Sequence, residues 1–300
     1  MSILVDETTK VIIQGITGRE AIAVTRNSLD YGTKIVGGIT PGKRGSDVYG
    51  IPVYDCVRDI TKEREVDASV ILVPARFAKD AAFEAIDNRI SIINILTEGI
   101  PRRDTAEILE FARQCGTKII GPNSVGIISP GKAKLGPIGG PAQDTNKTFV
   151  PGSVGVISRS GGFTGELSNT LTHSGLGQTT AISMGGDPIV GSTFVDLLLL
   201  FEADPETRAV VIFGEPGGNL EAELVNWVLR HGTRLPIVAF IGGRFVEEMP
   251  DVSFGHAGSI VHGSSDTASR KITLLREAGI IVAEEVSQIP VLVKGIIKGV

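Results

Sequence analysis

K-V-I-I-Q-G-I-T-G, residues 10–18, is a β-branched run that stops at glycine and gives way to an amphipathic stretch over about 19–30. The run predicts a buried strand. The glycines predict a tight strand-to-helix turn, in which small residues let backbone N–H groups face an anion. Q-G-I-T-G at 14–18 has only the spacing G-x-x-G, so a plain tight turn explains it equally well.

The unit recurs along the chain. Strand-like runs follow at 33–40, 67–74, 91–99 and 117–123, separated by helical patterns such as A-R-F-A-K-D-A-A-F-E-A-I-D and D-T-A-E-I-L-E-F-A-R-Q. Alternation of this kind implies a parallel sheet with helices on both faces, and so a Rossmann-like α/β domain over 1–125. Residues 126–152 are rich in Gly, Pro and Lys and read as a linker or exposed loop. The alternation then restarts, with strands at 153–158, 179–184, 208–214 and 235–242 and helices over 164–173, 193–202, 220–230 and 266–277. A second doubly wound domain of flavodoxin-like type is expected within 126–300. In both domains ligands belong at the carboxyl ends of the strands.

Composition narrows the function classes. The chain has 300 residues, 42% of them hydrophobic, with 38 glycines and a net charge of −5. That charge argues against a broad nucleic-acid surface, which needs a basic face. Cys56 and Cys115 are the only cysteines, too few for a disulfide framework or thiolate metal site, and are expected to be buried thiols in a reducing compartment. The N-terminus M-S-I-L-V-D-E-T-T-K has no apolar core of a secretory signal, and no apolar run reaches the ~20 residues that span a bilayer. A cytoplasmic location, with no membrane partner, is the expectation.

Several short motifs fall at predicted strand ends. G-G-I-T-P-G-K at 37–43 matches G-x-x-x-x-G-K, but Arg44 stands where a P-loop needs Ser or Thr for magnesium. Lys43 and Arg44 on a Gly-rich loop still suit the phosphates of another ligand. S-R-S-G-G at 158–162 leads into a helix, where Ser160, Gly161 and Gly162 would turn free N–H groups toward an anion and Arg159 adds charge. An ordinary N-cap by Ser160 accounts for those five residues equally well. G-E-P-G-G at 214–218 sets Glu215 after a strand, and M-G-G-D-P at 184–188 is a turn signal carrying Asp187.

S-F-G-H-A-G-S-I-V-H-G, 253–263, places His256 between Gly255 and the pair Ala257 and Gly258, a loop that presents the imidazole to a ligand. His173 and His231 lie near helix ends before glycines and read as structural, leaving His262 unassigned. No H-x-x-x-H spacing points to a metal, and no G-x-S-x-G elbow points to a hydrolase.

Taken in order across nearly the whole chain, Q-G-I-T-G, Y-G-T-K-I-V-G-G-I-T-P-G-K, T-E-G-I-P, I-G-P-N, S-R-S-G, G-G-D-P, G-E-x-G-G and G-H-A-G resemble the α subunits of succinyl-CoA synthetase, within the NDP-forming acyl-CoA synthetase superfamily. The resemblance implies a first domain that binds coenzyme A and a second that carries a phosphorylated histidine. His256 matches that histidine, and Glu215 the carboxylate that orients it. Ser160, Gly161 and Gly162 match the helix N-terminus that holds the phosphoryl group. Thr17, Gly18, Arg19, Glu20, Lys43, Leu96, Thr97 and Glu98 fall in the coenzyme A loops. The resemblance also implies ATP or GTP with Mg²⁺ on an ATP-grasp β subunit, in a heterodimer or heterotetramer, and a small carboxylic acid as substrate.

Departures from the family pattern bear on that acid. After S-R-S-G the succinate enzymes continue T-L-T-Y-E, whereas this chain has G-F-T-G-E, with Gly165 at the tyrosine position. S-R-S-G-G, G-E-L-S-N and V-S-F-G-H-A-G are closer to ATP-citrate lyase. Succinate has the base rate and citrate or malate the local argument, so a citryl-CoA or malyl-CoA forming subunit stays open. R-E-A-I-A-V after Gly18 also departs from the usual coenzyme A loop. A CoA-binding regulatory protein without catalysis would be expected to lack His256 or Glu215. An NAD(P) dehydrogenase would need the absent G-x-G-x-x-G.

Overall fold

The structure is a computed structural model and describes residues 2–244, 256, 258–261 and 266–298. Two α/β units follow one another. The first runs β1 (Lys10–Gln14), α1 (Arg19–Tyr31), β2 (Lys34–Ile39), β3 (Asp47–Val48), β4 (Ile51–Tyr54), α2 (Val57–Thr61), β5 (Ala68–Ile71), α3 (Ala75–Asp87), β6 (Ile92–Ile95), α4 (Arg102–Cys115) and β7 (Lys118–Ile120). The second runs β8 (Gly126–Ser129), β9 (Ala133–Leu135), α5 (Ala142–Thr148), β10 (Pro151–Ser158), α6 (Gly161–His173), β11 (Gln178–Ser183), α7 (Phe194–Ala203), β12 (Ala209–Gly214), α8 (Leu220–His231), β13 (Ile237–Ile241), α9 (Ala268–Glu277), β14 (Ile281–Ala283) and α10 (Ile289–Lys298).

The helices obey their local rules. α1 buries Ala21, Val24, Thr25 and Ser28, one face at helical spacing, and stops at Gly32, whose φ of 99° no β-carbon tolerates well. α7 starts on a capping box between Thr193 and Asp196.

Sheet order places the ligand crevices. The first sheet is ordered β3-β4-β2-β1-β5-β6-β7, with only the β3 edge antiparallel. Its parallel strands follow the Rossmann sequence, which reverses between β1 and β5. The second sheet is β14-β13-β12-β10-β11-β8-β9, parallel from β14 to β11 in the flavodoxin order, with its reversal between β10 and β12. Ser158 on β10 and Phe213 on β12 are in register there, so the residues that follow them emerge side by side.

The stretch 126–152 is neither linker nor exposed loop. β8 pairs antiparallel with β11, β9 pairs with β8, and Ile127, Ile128 and Leu135 are fully buried. Lys134 is buried too, its ammonium donating to the carbonyls of Ile138 (3.1 Å) and Gly140 (2.5 Å), and burial pulls its pKa down to about 8. Glycines and a lysine look like loop composition until these contacts are known. The C-terminal β14 and α10 likewise complete the second unit without a strong local signal. Cys56 and Cys115 are free thiols, only half-buried where full burial was expected. Among the described residues no helix is long and apolar enough to cross a membrane.

Candidate active site

At the first reversal, Gln14 ends β1 with its amide locked: Nε2 donates to the Ala81 carbonyl (2.9 Å), and Oε1 accepts from Ser69 (2.7 Å). The chain then turns at Gly15, where a β-carbon would meet the Leu72 carbonyl at 2.4 Å. That tight passage opens α1 with Gly18 as an N-cap that has no side-chain partner, leaving the helix amides available. Two adjoining cavities share Gly18 and Leu72–Pro74. One, of about 660 Å³, reaches Thr17, Thr40, Pro41 and the half-exposed Phe77. The other, of about 590 Å³, takes in Arg19, Glu20, Leu96, Thr97, Glu98 and Asn123. Of the predicted coenzyme A residues, seven therefore line one groove. Lys43 lines neither cavity; it is exposed in the turn after Thr40, whose carbonyl accepts its N–H (3.1 Å).

At the second reversal lies the histidine. His256 Nδ1 is 2.9 Å from both carboxylate oxygens of Glu215, which also accepts the Ser259 hydroxyl at 2.9 Å. The Ser259 amide donates to the His256 carbonyl (3.0 Å), closing a turn. Gly186 lets the ring come close, because a β-carbon there would sit 2.5 Å from imidazole carbons. The side chains of His256 and Glu215 keep 25% and 12% of their exposure. The histidine is thus partly packed and still reachable, where sequence suggested presentation alone. Its neighbours Gly255 and Ala257, and His262, lie outside the described residues.

Electrostatics tune the pair. The Glu215 hydrogen bond raises the His256 pKa above its ordinary value, against burial; the Glu215 charge adds to the rise, Arg159 opposes it and Asp187 adds to it. Burial pushes the Glu215 carboxyl up. The His256 hydrogen bond and charge, Arg159 and Ser259 outweigh that, for a net lowering. In the neutral ring, a proton on Nδ1 donated to Glu215 leaves the lone pair on Nε2.

A buried pair holds Glu215 by its backbone. Lys271 Nζ donates to the carbonyls of Glu215 (2.7 Å) and Gly217 (2.6 Å) and to Glu221 Oε2 (2.6 Å), while Glu221 Oε1 accepts the Glu215 N–H (3.2 Å). Both side chains are 1% exposed. Nothing local marks this pair, since 50 residues separate its members.

The helix after β10 has the ordinary N-cap expected of S-R-S-G-G. Ser160 is the N-cap, its Oγ accepting the Phe163 N–H at 3.4 Å. The first-turn amides of Gly161 and Gly162 have no carbonyl within the helix. Gly161 is small because Val125 lies 2.5 Å from where its β-carbon would be; beside Gly165 there is open space.

The two crevices meet through residues that sequence reading passed over. Asn123, on the coenzyme A groove, donates to Asp187 (3.1 Å), and Gly186 N–H donates to the Asn123 carbonyl (3.2 Å). Asp187 is raised by burial above the ordinary carboxylate range, with Asn123 opposing, Glu98 adding and His256 opposing. His173 and His231 end α6 and α8, each with Nδ1 on the carbonyl four residues back, at 2.9 and 3.1 Å. Among the described residues no cluster of three His, Cys, Asp or Glu suits a metal.

Comparison with known proteins finds two families in succession. Residues 6–99 match the CoA binding domain family, and residues 157–281 match the CoA-ligase family. The chain is 46% identical over 284 residues to the succinate–CoA ligase [ADP-forming] subunit alpha 1 of Archaeoglobus fulgidus, covering 95% of this chain and 94% of that protein. It is 44% identical to the α subunit of the same enzyme from Methanothermobacter thermautotrophicus, over 96% and 94% of the two chains.

The chain belongs to the succinate–CoA ligase α-subunit family.

It is an acid–CoA ligase chain, and its first domain is of the coenzyme A binding type. Among solved structures it is similar to ATP citrate lyase of Methanosaeta concilii in complex with (3S)-citryl-CoA, with a TM-score of 0.91 and 26% identity over 99% of this chain. ATP citrate lyase of Methanothrix soehngenii in complex with citrate and coenzyme A superposes with a TM-score of 0.89 and 27% identity, over 98% of this chain. This α-subunit family member spans about half the length of those lyase chains, 51% and 52%.

Proposed function

We propose that this chain is the α subunit of a nucleoside-diphosphate-forming acid–CoA ligase that passes a phosphoryl group through His256. The observation that carries the reading is the His256–Glu215 contact at the second sheet reversal, where an α6 amide terminus also opens. A nucleotide, ATP or GTP with Mg²⁺, would supply the phosphoryl group, and coenzyme A the thiol that accepts the acyl group. Glu215 holds the Nδ1 proton, leaving the Nε2 lone pair to bond the γ-phosphorus as the bond to the nucleoside diphosphate breaks. The proton stays on Nδ1 while Glu215 offsets the ring's growing positive charge. The Gly161 and Gly162 amides and the α6 dipole then stabilise the phosphoryl oxygens while the acid's carboxylate takes the phosphoryl group from Nε2, giving an acyl phosphate and neutral His256. The coenzyme A thiol, losing its proton, displaces inorganic phosphate to give the acyl-CoA.

Residues 1–125 form the coenzyme A unit in this reading and 126–300 the ligase unit. The groove from Phe77 through Gly18 to Asn123 suits an elongated ligand with an apolar end and anionic groups at the α1 terminus. Thr17, Gly18, Arg19, Glu20, Leu96, Thr97 and Glu98 would hold coenzyme A along it, with Lys43, on the exposed turn after Thr40, meeting its phosphates. We place nucleotide and Mg²⁺ on an ATP-grasp β subunit, and the complex in the cytoplasm.

Succinate is the acid named for the relatives. Citrate or malate is a second reading, favoured by the open space beside Gly165 and the likeness to citrate-binding structures. Incubating the chain and its partner with labelled ATP and Mg²⁺, then mapping acid-labile label, tests the phosphohistidine. Coenzyme A-dependent turnover over succinate, malate and citrate identifies the acid.

A further inference from the structure

Arg159 follows β10 and is 2% exposed, yet its Nε and Nη1 are buried with no hydrogen-bond partner among the described residues. Burying guanidinium N–H groups unpaired is costly, which makes such an arginine a pointer to an absent partner. The carboxylate on which its charge acts, Glu215, is otherwise engaged: it accepts from His256 and Ser259, and among the described residues it forms no ion pair with Arg159.

Arg159 lines a cavity of about 230 Å³, together with Arg102 from the start of α4, Asn219 and Gly258. Gly258 has no side chain to fill it, and a β-carbon there would lie 2.4 Å from Arg159 Nη2. Asn219 is also the N-cap of the 12-residue α8, and its side chain caps none of the first-turn amides. It donates instead to Glu223 at 2.7 Å. A buried arginine, an exposed arginine from the other unit and a helix amide terminus therefore converge on one small space. All three attract negative charge.

We propose that this cavity is a second oxyanion site, separate from the α6 terminus, that takes a carboxylate or inorganic phosphate between Arg159, Arg102 and the start of α8. A guanidinium fork matches two oxygens of either group, and the volume admits a small anion rather than a nucleotide. Because Arg102 lies in the first unit and Asn219 in the second, the bound anion ties the two together beside His256. The proposal does not depend on His256 carrying a phosphoryl group.

The test titrates inorganic phosphate, succinate and citrate separately into the purified full chain by calorimetry, in the wild type, Arg102→Ala and Arg159→Met. The expected result is one anion per chain whose affinity falls roughly tenfold or more in Arg102→Ala, as for loss of a charged hydrogen bond, and is abolished in Arg159→Met. Binding of phosphate alone identifies a phosphate site, and binding of succinate or citrate a carboxylate site. Arg102 is exposed, so its variant keeps the test open if Arg159→Met fails to fold. Isotherms of Arg102→Ala that superimpose on the wild type for every probe, or no binding of any probe, overturn the proposal. Labelling of His256 by ATP in the presence of the partner is read on the same preparations, so failure of the phosphohistidine reading registers separately.

Discussion

His256 Nδ1 lies 2.9 Å from both Oε1 and Oε2 of Glu215, so one nitrogen of the ring is committed to a carboxylate and the other is left for chemistry. Removing the charge of that partner while keeping its shape isolates its contribution. Glu215→Gln is expected to slow phosphorylation of His256 by about 10²-fold, within the range for a positioned proton-holding group. His256→Ala should abolish the acid-labile label. Rapid-quench labelling with ATP measures both, and label persisting in His256→Ala defeats the assignment.

The same contact sets a pH dependence. Attack needs unprotonated Nε2, and the His256 pKa is raised above 6.5. The phosphorylation rate should therefore climb with pH through a midpoint above 6.5, and Glu215→Gln should move that midpoint to lower pH. For stability the signs differ by partner. The raised His256 contributes stability that is full below 6.5 and fades as pH rises through its folded value. The lowered Glu215 contributes above 4.5 and fades as pH falls through its own. A pH-independent labelling rate across this window contradicts the arrangement.

Lys271→Met removes the cation that pairs with Glu221 and grips two carbonyls. Breaking one side of a buried pair is expected to cost about 3–5 kcal/mol, read as a lower urea midpoint. Because the Glu215 carbonyl loses its donor, His256 labelling should slow as well. An unchanged midpoint would show the pair to be dispensable.

Lys43→Ala probes the exposed turn after Thr40, proposed above to meet the phosphates of coenzyme A. An exposed charge contributes about 0.2–1 kcal/mol, so KM for coenzyme A should rise by up to roughly fivefold at low salt and converge with wild type at high salt. His256 labelling should be untouched. Loss of labelling with unchanged coenzyme A binding would reverse the assignment of the two units.

Gly165→Tyr fills the open space beside α6. If that space selects the acid, kcat/KM falls more for citrate or malate than for succinate. A wild-type enzyme confined to succinate would instead mean that the gap is closed from elsewhere.

The primary sequence by itself determined the period of the elements and singled out the histidine and carboxylate that the structure brings into contact. The run at 10–18 starts a strand, turn and helix because β-branched residues and glycines act within a few positions. The order of short motifs singled out His256 and Glu215, since each sits in a local turn of its own. Only the tertiary structure decided that β8 and β9 are sheet rather than linker, because β8 pairs with β11 some fifty residues further on, β9 pairs with β8, and the composition of the stretch that holds them mimics a loop. It also decided that Lys271 and Glu221 grip Glu215, that Asn123 meets Asp187, and that two guanidinium nitrogens of Arg159 are buried with no partner among the described residues. Such partners lie far apart along the chain. Local patterning cannot encode contacts that exist only once two sheets have reversed their strand order and brought those loops to one edge.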